Sequence, residues 1–314
     1  MKKLCSFIFM CMIPFMAFAQ KIVEIDGLEY NLTADNYAEV AGCDAGVTDI
    51  VIPDSVTHDG TTYKVMSIMD EAFKSNASVR TVLIAASVEH IGLSAFEECT
   101  ALTTVTFEEG SRLETISSSA FGTCASLSKV MFAEDGVLST IGNSAFTACT
   151  ALREIKFPAS LKTIDFYAFG ECTSLKEFTF GDDAQLTNIE PFAFNSCSSL
   201  AVANIPASVT SIADMAFTSC GALKTINSSI AEPFAIGEVF DYGSKQTLYV
   251  PKGTKAKYQS VSGWNRFKNI EEKDMGIDDV IMDACTDVYD LQGRKVNKAQ
   301  AGIYVKDGRK YVGR

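Results

Sequence analysis

The residues best suited to chemistry in this sequence are its 10 cysteines and its two histidines, His58 and His90. A thiol nucleophile needs a base beside it, and a metal site needs several ligands in one compact cluster. The sequence contains no His-x-x-x-His pair and no Gly-x-Ser-x-Gly elbow, and its glycines lie at turns rather than in a phosphate-binding loop. We therefore predict no catalytic residue, no metal site and no cofactor, and we predict that the protein is not an enzyme.

The spacing of the cysteines gives them a different role. Six of them follow a phenylalanine by three residues, and Asn76 takes this place in the first repeat. These six are Cys99, Cys124, Cys149, Cys172, Cys197 and Cys220. The phenylalanines each end an Ala-Phe pair, and they are Phe73, Phe96, Phe121, Phe146, Phe169, Phe194 and Phe217. Self-similarity at steps of 23 and 25 residues is typical of a solenoid.

In a solenoid the equivalent cysteines of successive coils form an inward ladder, and we expect free, buried thiols that behave as small apolar side chains. Two alternatives remain open. Disulfides between adjacent rungs are within reach, although the side chains would point in parallel. Metal binding would need a tetrahedral cluster, whereas the ladder is a line.

Each repeat carries further apolar residues at fixed distances from its phenylalanine. Two of them alternate with a polar residue, the period of a half-buried strand. We expect two short strands and one tight turn per coil, with 23–25 residues per coil. The predicted fold class is therefore mostly β, a solenoid of short parallel strands. Eight coils at the spacing of paired strands would form a rod of roughly 40 Å.

The chain divides into five predicted segments. Residues 1–19 resemble a signal peptide, because Lys2 and Lys3 precede a run of apolar residues that ends at a small-x-small site. This predicts export, and no later segment is apolar enough to cross a membrane. The predicted segments are a signal peptide (1–19), an N-terminal cap (20–46), the repeats (47–226), a C-terminal cap (227–275) and a small β tail (276–314) that could serve sorting or anchoring.

Several local features refine these segments. Asp26-Gly27 predicts a hairpin in the N-terminal cap, and Asp307-Gly308 predicts another in the tail. Residues 57–61 are a polar insertion in the first, irregular coil. The repeat pattern breaks after Ile226. The predicted C-terminal cap then contains a final strand over 247–251, a short helix over 255–258, and two aromatic residues that close the end, Trp264 and Phe267.

Charge limits the class of partner. The formal net charge is −12, and loss of Lys2 and Lys3 with the leader makes it −14. Nucleic acid and anionic lipid both require clustered cations, so neither is expected as a partner. One local exception is a basic strip on outward strand positions, which either contacts a ligand or is simply solvated. Its residues are Lys129, Arg153, Lys156, Lys176 and Lys224.

The repeat itself resembles a known family. The phrase Ala-Phe-x-x-Cys-x-x-Leu-x-x-Ile-x-Phe-Pro-x-x-Leu-x-x-Ile, carried most fully by residues 145–164, is similar to the BspA-type leucine-rich repeats of bacterial surface proteins. The resemblance implies a leucine-rich-repeat solenoid on an exported protein, and some relatives bind matrix or plasma proteins or mediate coaggregation. The tail phrases Tyr-Asp-Leu-Gln-Gly-Arg and Gly-Ile-Tyr-Val resemble a type IX secretion sorting domain. The tail is then a sorting signal, a remnant of one, or a terminal β cap.

Two functional hypotheses follow. The first is a monomeric binding scaffold or adhesin at the cell surface or outside the cell, which recognises an extracellular protein or glycan through the solenoid surface. The second is a passive structural spacer of the cell envelope.

Overall fold

The computed structural model describes residues 22–181, 183–243 and 245–274, together with the backbone of four short strands nearer the C-terminus. The predicted signal peptide lies outside the described residues. The described chain is mostly β with little helix, and it winds into a solenoid of parallel strands, as the sequence predicts.

The N-terminal cap is an antiparallel sheet that turns into the solenoid. Strand β1 (Ile22–Ile25) pairs antiparallel with β2 (Leu28–Leu32), and β2 pairs antiparallel with β3 (Tyr37–Cys43). The turn between β1 and β2 has φ of 53° at Asp26 and 80° at Gly27, the left-handed pair that a two-residue hairpin requires. The predicted hairpin is therefore confirmed.

The first coil differs from its prediction. Residues 57–61 are not merely a polar insertion, because β5 (Ser55–His58) and β6 (Thr61–Ile68) form an antiparallel hairpin. Asp59 and Gly60 make the turn, with φ of 49° and 76°. Asp-Gly is the same hairpin signal that Asp26-Gly27 gives, so this hairpin was predictable. Strand β6 also pairs parallel with β3 and so joins the cap to the coils.

Two faces of stacked strands run along the solenoid, namely a continuous sheet of short strands and a long-strand face that is divided into three sheets. The short-strand sheet continues from β6 through two-residue strands, namely β8 (His90–Ile91), β10 (Thr115–Ile116), β12 (Thr140–Ile141), β14 (Thr163–Ile164), β16 (Asn188–Ile189) and β18 (Ser211–Ile212). The long-strand face consists of β4 (Asp49–Ile52), β7 (Thr81–Ile84), β9 (Thr104–Phe107), β11 (Lys129–Met131), β13 (Glu154–Phe157), β15 (Glu177–Phe180), β17 (Val202–Ile205), β19 (Thr225–Ser228), β20 (Thr247–Pro251) and β21 (Asn269–Lys273).

The predicted break after Ile226 is wrong, because the repeat continues through the predicted C-terminal cap. Phe240 lies 23 residues after Phe217, and their rings stack with centroids 5.3 Å apart. Val239 replaces the usual alanine before it, which hides the motif. Strand β20 pairs parallel with β19, and β21 pairs parallel with β20. The segment 247–251 is therefore not the final strand, and the long-strand face has ten strands within the described residues.

The end of the solenoid is closed by aromatic side chains. A short helix, α1 (Lys255–Ser260), follows β20 as predicted and is two residues longer than expected. Trp264 lies in a single 3-10 turn (Trp264–Arg266), is fully buried and packs on Phe240, and Phe267 also contacts Phe240. These two aromatic residues close the apolar core, in agreement with their predicted role.

A stack of phenylalanine rings runs through the core. Phe240 and the seven phenylalanines of the Ala-Phe pairs give eight rings, with neighbouring centroids 4.7–5.4 Å apart and ring planes within 10° of parallel. Each of the six inner rings is covered by the rings of the coils before and after it. Burial of one such side chain stabilises the fold by about 1.5–3 kcal/mol, and neighbouring coils supply the cover.

The cysteine ladder is also as predicted. All six ladder thiols are buried and free. Each Sγ–H donates to the carbonyl of the phenylalanine in the preceding coil at 3.0–3.2 Å, as from Cys149 to Phe121. Burial raises the pKa of Cys172 and of Cys220 to about 12. These two thiols therefore act as neutral hydrogen-bond donors between coils, whereas a hydrogen bond with Cys124 lowers the pKa of Cys99.

The ladder ends at Asn76, where an amide replaces the thiol. Its Oδ1 accepts hydrogen bonds from the backbone N–H of Ser78 at 2.8 Å and of Val79 at 3.0 Å. Its Nδ2 donates to the Cys43 Sγ of the cap at 3.5 Å. Asn76 thus connects the regular coils to the N-terminal cap.

Part of the C-terminal tail forms a small separate sheet. Strands β22 (Val288–Asp290), β23 (Lys295–Val296), β24 (Gly302–Lys306) and β25 (Arg309–Gly313) are paired antiparallel in the order β23-β22-β24-β25. Lys306 pairs with Arg309, which is the register that a two-residue hairpin gives. The Asp307-Gly308 dipeptide itself lies outside the described residues.

The thiol ladder predicts how the cysteines react. At pH 8 the six ladder thiols should resist iodoacetamide in the folded protein, because their burial keeps the reagent away from them. After denaturation without reductant all six should be alkylated. Peptide mapping by mass spectrometry measures each site separately, and a ladder cysteine that stays blocked until reductant is added would show a disulfide.

The ring stack predicts a large loss of folding stability when one ring in its middle is removed. Phe146→Ala should lower the free energy of unfolding by about 3–5 kcal/mol, because the rings above and below it lose their cover. Urea denaturation followed by circular dichroism measures this loss. Val137→Ala is the control, since Val137 is 49% exposed and its truncation should change stability by less than about 0.5 kcal/mol. Equal effects of the two substitutions would contradict the proposed role of the stack.

Candidate ligand-binding groove

The long-strand face carries an open groove of about 1190 Å³. Its walls come from β11, β13 and β15 and from the residues just before these strands. The side chains that line it include Lys129, Met131, Arg153, Glu154, Lys156 and Glu177. A groove of this size and openness can hold an extended chain segment rather than only a small molecule.

The groove spans one of two interruptions in the long-strand face. Strands β7, β9 and β11 are paired in register, and so are β13 and β15. In the described part of the chain, no strand pair joins β11 to β13 or β15 to β17. Strand β11 has only three residues, and its coil continues into the exposed loop of a 25-residue repeat.

Strand alternation decides which side chains enter the groove. Val130 and Ile155 point inward and are almost fully buried, whereas Lys129, Met131, Glu154 and Lys156 point outward. The inward residues belong to the apolar core, so they hold β11 and β13 in place. The outward residues are free to differ from coil to coil.

The cationic side chains of the groove differ in whether they form an ion pair. Lys156 Nζ lies 2.6 Å from Glu134 Oε1, and both side chains are about half exposed or more. Such an exposed pair contributes little to stability, about 0–1 kcal/mol. Among the described residues, neither Lys129 nor Arg153 forms an ion pair with a carboxylate. These two cations are therefore available to a ligand.

The structure does not bring the whole predicted basic strip together. Lys129, Arg153 and Lys156 line the groove. Lys176 is exposed in the next coil, where its N–H bonds the Arg153 carbonyl at 2.8 Å, but it does not line the groove. Lys224 lies two coils further on, separated from Lys176 by the coil of Ala201. Arg153, Lys176 and Lys224 occupy the same position in their coils, but Ala201 interrupts this row, and Lys129 and Lys156 occupy other positions. The five residues therefore do not form one continuous strip.

Sequence reasoning missed one lining residue, Met131, as a component of a site. It is an outward residue of a strand, and its type alone does not separate it from any solvated surface residue. Glu154 and Glu177 were expected to dilute the charge of the basic strip, and both line the groove. The gap between β11 and β13 also had no signal in the repeat pattern, since both strands match that pattern.

The residues with catalytic potential are placed far from any common site. His58 lies in the β5 hairpin with its Nε2 3.3 Å from Asp59 Oδ2, whereas His90 is exposed at the start of β8. The ladder thiols are buried between the sheets. Within the described residues, no group of three or more His, Cys, Asp or Glu side chains is placed to hold a metal ion.

Comparisons with known proteins place these coils in a wider group. The family model for the BspA type leucine rich repeat region matches in six copies, over residues 46–136, 66–183 and 114–238. A search of curated proteins finds no match. Among the described residues there is no helix with the length and apolar character needed to cross a bilayer.

Solved structures with similar coils come from several bacteria. The leucine-rich repeat protein TpLRR of T. pallidum is 23% identical over 73% of this chain and 86% of its own, with a TM-score of 0.47. A leucine rich cell surface protein from Faecalibacterium prausnitzii is 21% identical over 81% and 95%, with a TM-score of 0.39. A leucine-rich repeat protein from Bacteroides ovatus is 23% identical over 80% and 76%, with a TM-score of 0.41.

The three matched ranges together span residues 46–238, which is more than half of the 314-residue chain. The six copies also fall on the coils whose phenylalanine and cysteine ladders are described above. The chain therefore belongs to the family of BspA type leucine rich repeat proteins.

Proposed function

We propose that this protein is an exported, non-enzymatic binding scaffold that holds an extracellular protein or glycan against the long-strand face, in the manner of an adhesin. The observation that carries the proposal is the groove lined by Lys129, Arg153 and Lys156. The ligand is one that presents acidic groups, because these three cations stand out on a chain of net charge −12.

The arrangement of the cations supports recognition rather than general attraction. Arg153 offers a planar fork of N–H donors that matches a carboxylate or sulfate in two-point contact, whereas Lys129 acts as a point charge. Glu154 and Glu177 on the same walls repel a ligand that is acidic along its whole length. The groove therefore favours a ligand with a few acidic groups at defined positions.

Rigidity of the groove also supports binding. Its floor is part of the sheet and the ring stack, so the outward side chains are held at fixed spacings before a ligand arrives. A preformed site loses less conformational entropy on binding than a mobile loop does. A scaffold of stacked coils thus provides a broad recognition surface without the need for a separate binding domain.

Export and surface location are part of the same proposal. They rest on the basic and apolar character of residues 1–19 and on the family to which the chain belongs. The similarity of the tail to a type IX sorting domain adds a route to the surface, with the small β22–β25 sheet as the element a secretion system would bind.

A passive spacer of the envelope is the second candidate. The observation that favours it is the continuous stack of eight rings, which makes the solenoid a stiff body along its length. A spacer needs no ligand, so it predicts regular self-assembly and no specific partner in a binding screen.

Charge reversal in the groove tests the binding proposal. The triple variant Lys129→Glu, Arg153→Glu and Lys156→Glu should lose its ligand, because reversed charges repel the acidic groups. We expect at least a tenfold drop in the recovery of specific partners from a pull-down of extracellular proteins, and in the signal of bound glycans on an array.

A matched control separates this effect from overall charge. The variant Lys224→Glu, Lys245→Glu and Lys268→Glu makes the same change in net charge at exposed lysines outside the groove, and it should keep the partners of the unchanged protein. Equal recovery with the groove variant would reject the groove. Absence of any partner, together with ordered self-assembly, would favour the spacer.

A further inference from the structure

A cluster of aromatic and apolar side chains lies on a different edge of the solenoid from the groove. It occupies the turn between each short strand and the Ala-Phe pair in three consecutive coils. We call Phe166, Tyr167, Phe192 and Met215 the edge patch. Phe166 is 41% exposed and Met215 is 42% exposed, and the Phe166 and Phe192 rings meet edge to face with centroids 5.5 Å apart.

The fold does not require these side chains. The two preceding coils place Ser118-Ser119 and Asn143-Ser144 at the positions of Phe166-Tyr167. The buried alanine and phenylalanine that follow are the same in all of these coils. Small polar residues are therefore sufficient to form this turn, and its fold does not depend on the bulky residues of the edge patch.

The backbone of these turns does not call for bulky residues. Tyr167, Phe192 and Met215 have φ of 55°, 61° and 63°, in the left-handed region that bulky residues rarely adopt, and Ser119 and Ser144 hold the same position with φ of 54°. The side chains of the edge patch lie outside the buried core, although the Phe166 ring contacts the rings of Tyr167 and Phe192. Their exposed faces indicate that the rings serve a contact.

Carboxylates surround the edge patch. Asp165 and Glu190 occupy the same position in adjacent coils, next to Phe166 and in the turn of Phe192. Tyr167 Oη donates to Glu171 Oε1 at 2.7 Å, and Asp214 Oδ1 accepts from the Glu238 N–H at 3.0 Å. Within the described residues none of these four carboxylates forms an ion pair. The patch therefore presents π faces and negative charges together.

The next coil shows what this combination binds. Glu238 holds the position that Met215 holds in its own coil, and it forms an ion pair with the guanidinium of Arg266. The same guanidinium lies over the Tyr242 ring, with its Cζ 4.0 Å from the ring centroid. This edge of the solenoid already holds one cation of its own chain between a carboxylate and an aromatic face.

We infer that the edge patch is a second docking surface, which binds an arginine- or lysine-bearing segment of a partner protein. Its rings receive the cations by cation–π contact, and Asp165, Glu190 and Asp214 supply the opposite charge. This surface goes beyond the proposed groove, because it lies on another edge and selects the opposite sign of charge. The chain thus presents two sites that are specific for different ligands.

Binding of a defined cationic peptide tests the inference. The probe is a fluorescein-labelled peptide of six Arg-Gly repeats, and its counterpart carries citrulline, which keeps the shape of arginine without the charge. The unchanged full chain should bind the arginine peptide, more weakly at high salt, and should not bind the citrulline peptide. Fluorescence anisotropy measures both affinities.

Two variants remove the two parts of the site separately. Phe166→Ser with Tyr167→Ser and Phe192→Ser copies the serine residues of the preceding coils and should weaken peptide binding about tenfold or more. Asp165→Asn with Glu190→Gln should weaken it about fivefold and flatten the salt dependence. A cooperative urea transition of the serine variant checks that it stays folded, since serine occupies these turns in the preceding coils.

Matched controls exclude general attraction to an acidic protein. Asp44→Asn with Glu114→Gln removes the same two types of charge elsewhere, and Leu93→Ser removes the exposed apolar residue at the Phe166 position of an earlier coil. Both controls should keep the affinity. Unchanged affinity in the serine variant would overturn the inference, as would an equal loss in the controls. The inference would also be overturned if the patch variants no longer bound a neutral oligosaccharide but still bound the arginine peptide with unchanged affinity.

Discussion

The structure depends on one constraint, which is that no coil can close its own core. A coil contributes one two-residue strand, one slightly longer strand and a buried Ala-Phe turn, and each of these needs a neighbour on both sides. Two sets of contacts between coils meet this need, namely the phenylalanine stack and the hydrogen bonds from thiol to carbonyl. Both join equivalent positions in successive coils, so stability is the sum of many similar contacts between neighbours. Because the end coils lack a neighbour on one side, other elements must cover them. An antiparallel sheet covers the core at the N-terminal end, and buried aromatic residues cover it at the C-terminal end.

Sequence reasoning reached the interior more fully than the surface. Strand alternation, the ladders of Phe146 and Cys149 and the Asp26-Gly27 hairpin were all predictable, because buried positions tolerate few residue types and recur in every coil. The coil around Phe240 was missed, since Val239 disguises the Ala-Phe pair. The hairpin at Asp59-Gly60 was missed although its turn signal is present.

The groove shows why a candidate site is harder to predict than a fold. Its lining comes from outward residues of β11, β13 and β15, and the missing pairing between β11 and β13 has no signal in the repeat pattern. Lys129, Arg153 and Lys156 were singled out by charge, but only the coil geometry shows that Lys176 and Lys224 do not line the groove. Outward positions vary freely, so repetition carries no information about which of them act together. The edge patch was missed for the same reason.

The cysteine ladder has a consequence for how such a protein changes in length. The ring stack and the hydrogen bonds from Sγ–H to carbonyl each join one fixed position of a coil to one fixed position of its neighbour. A duplication or deletion that begins and ends at equivalent cysteines therefore leaves both sets of contacts in register. Each such event moves the surfaces on either side by about 4.8 Å along the axis. The distance between the groove and the edge patch can thus be tuned by unequal recombination within the gene, in steps of one coil, while the amino acids of both sites stay the same.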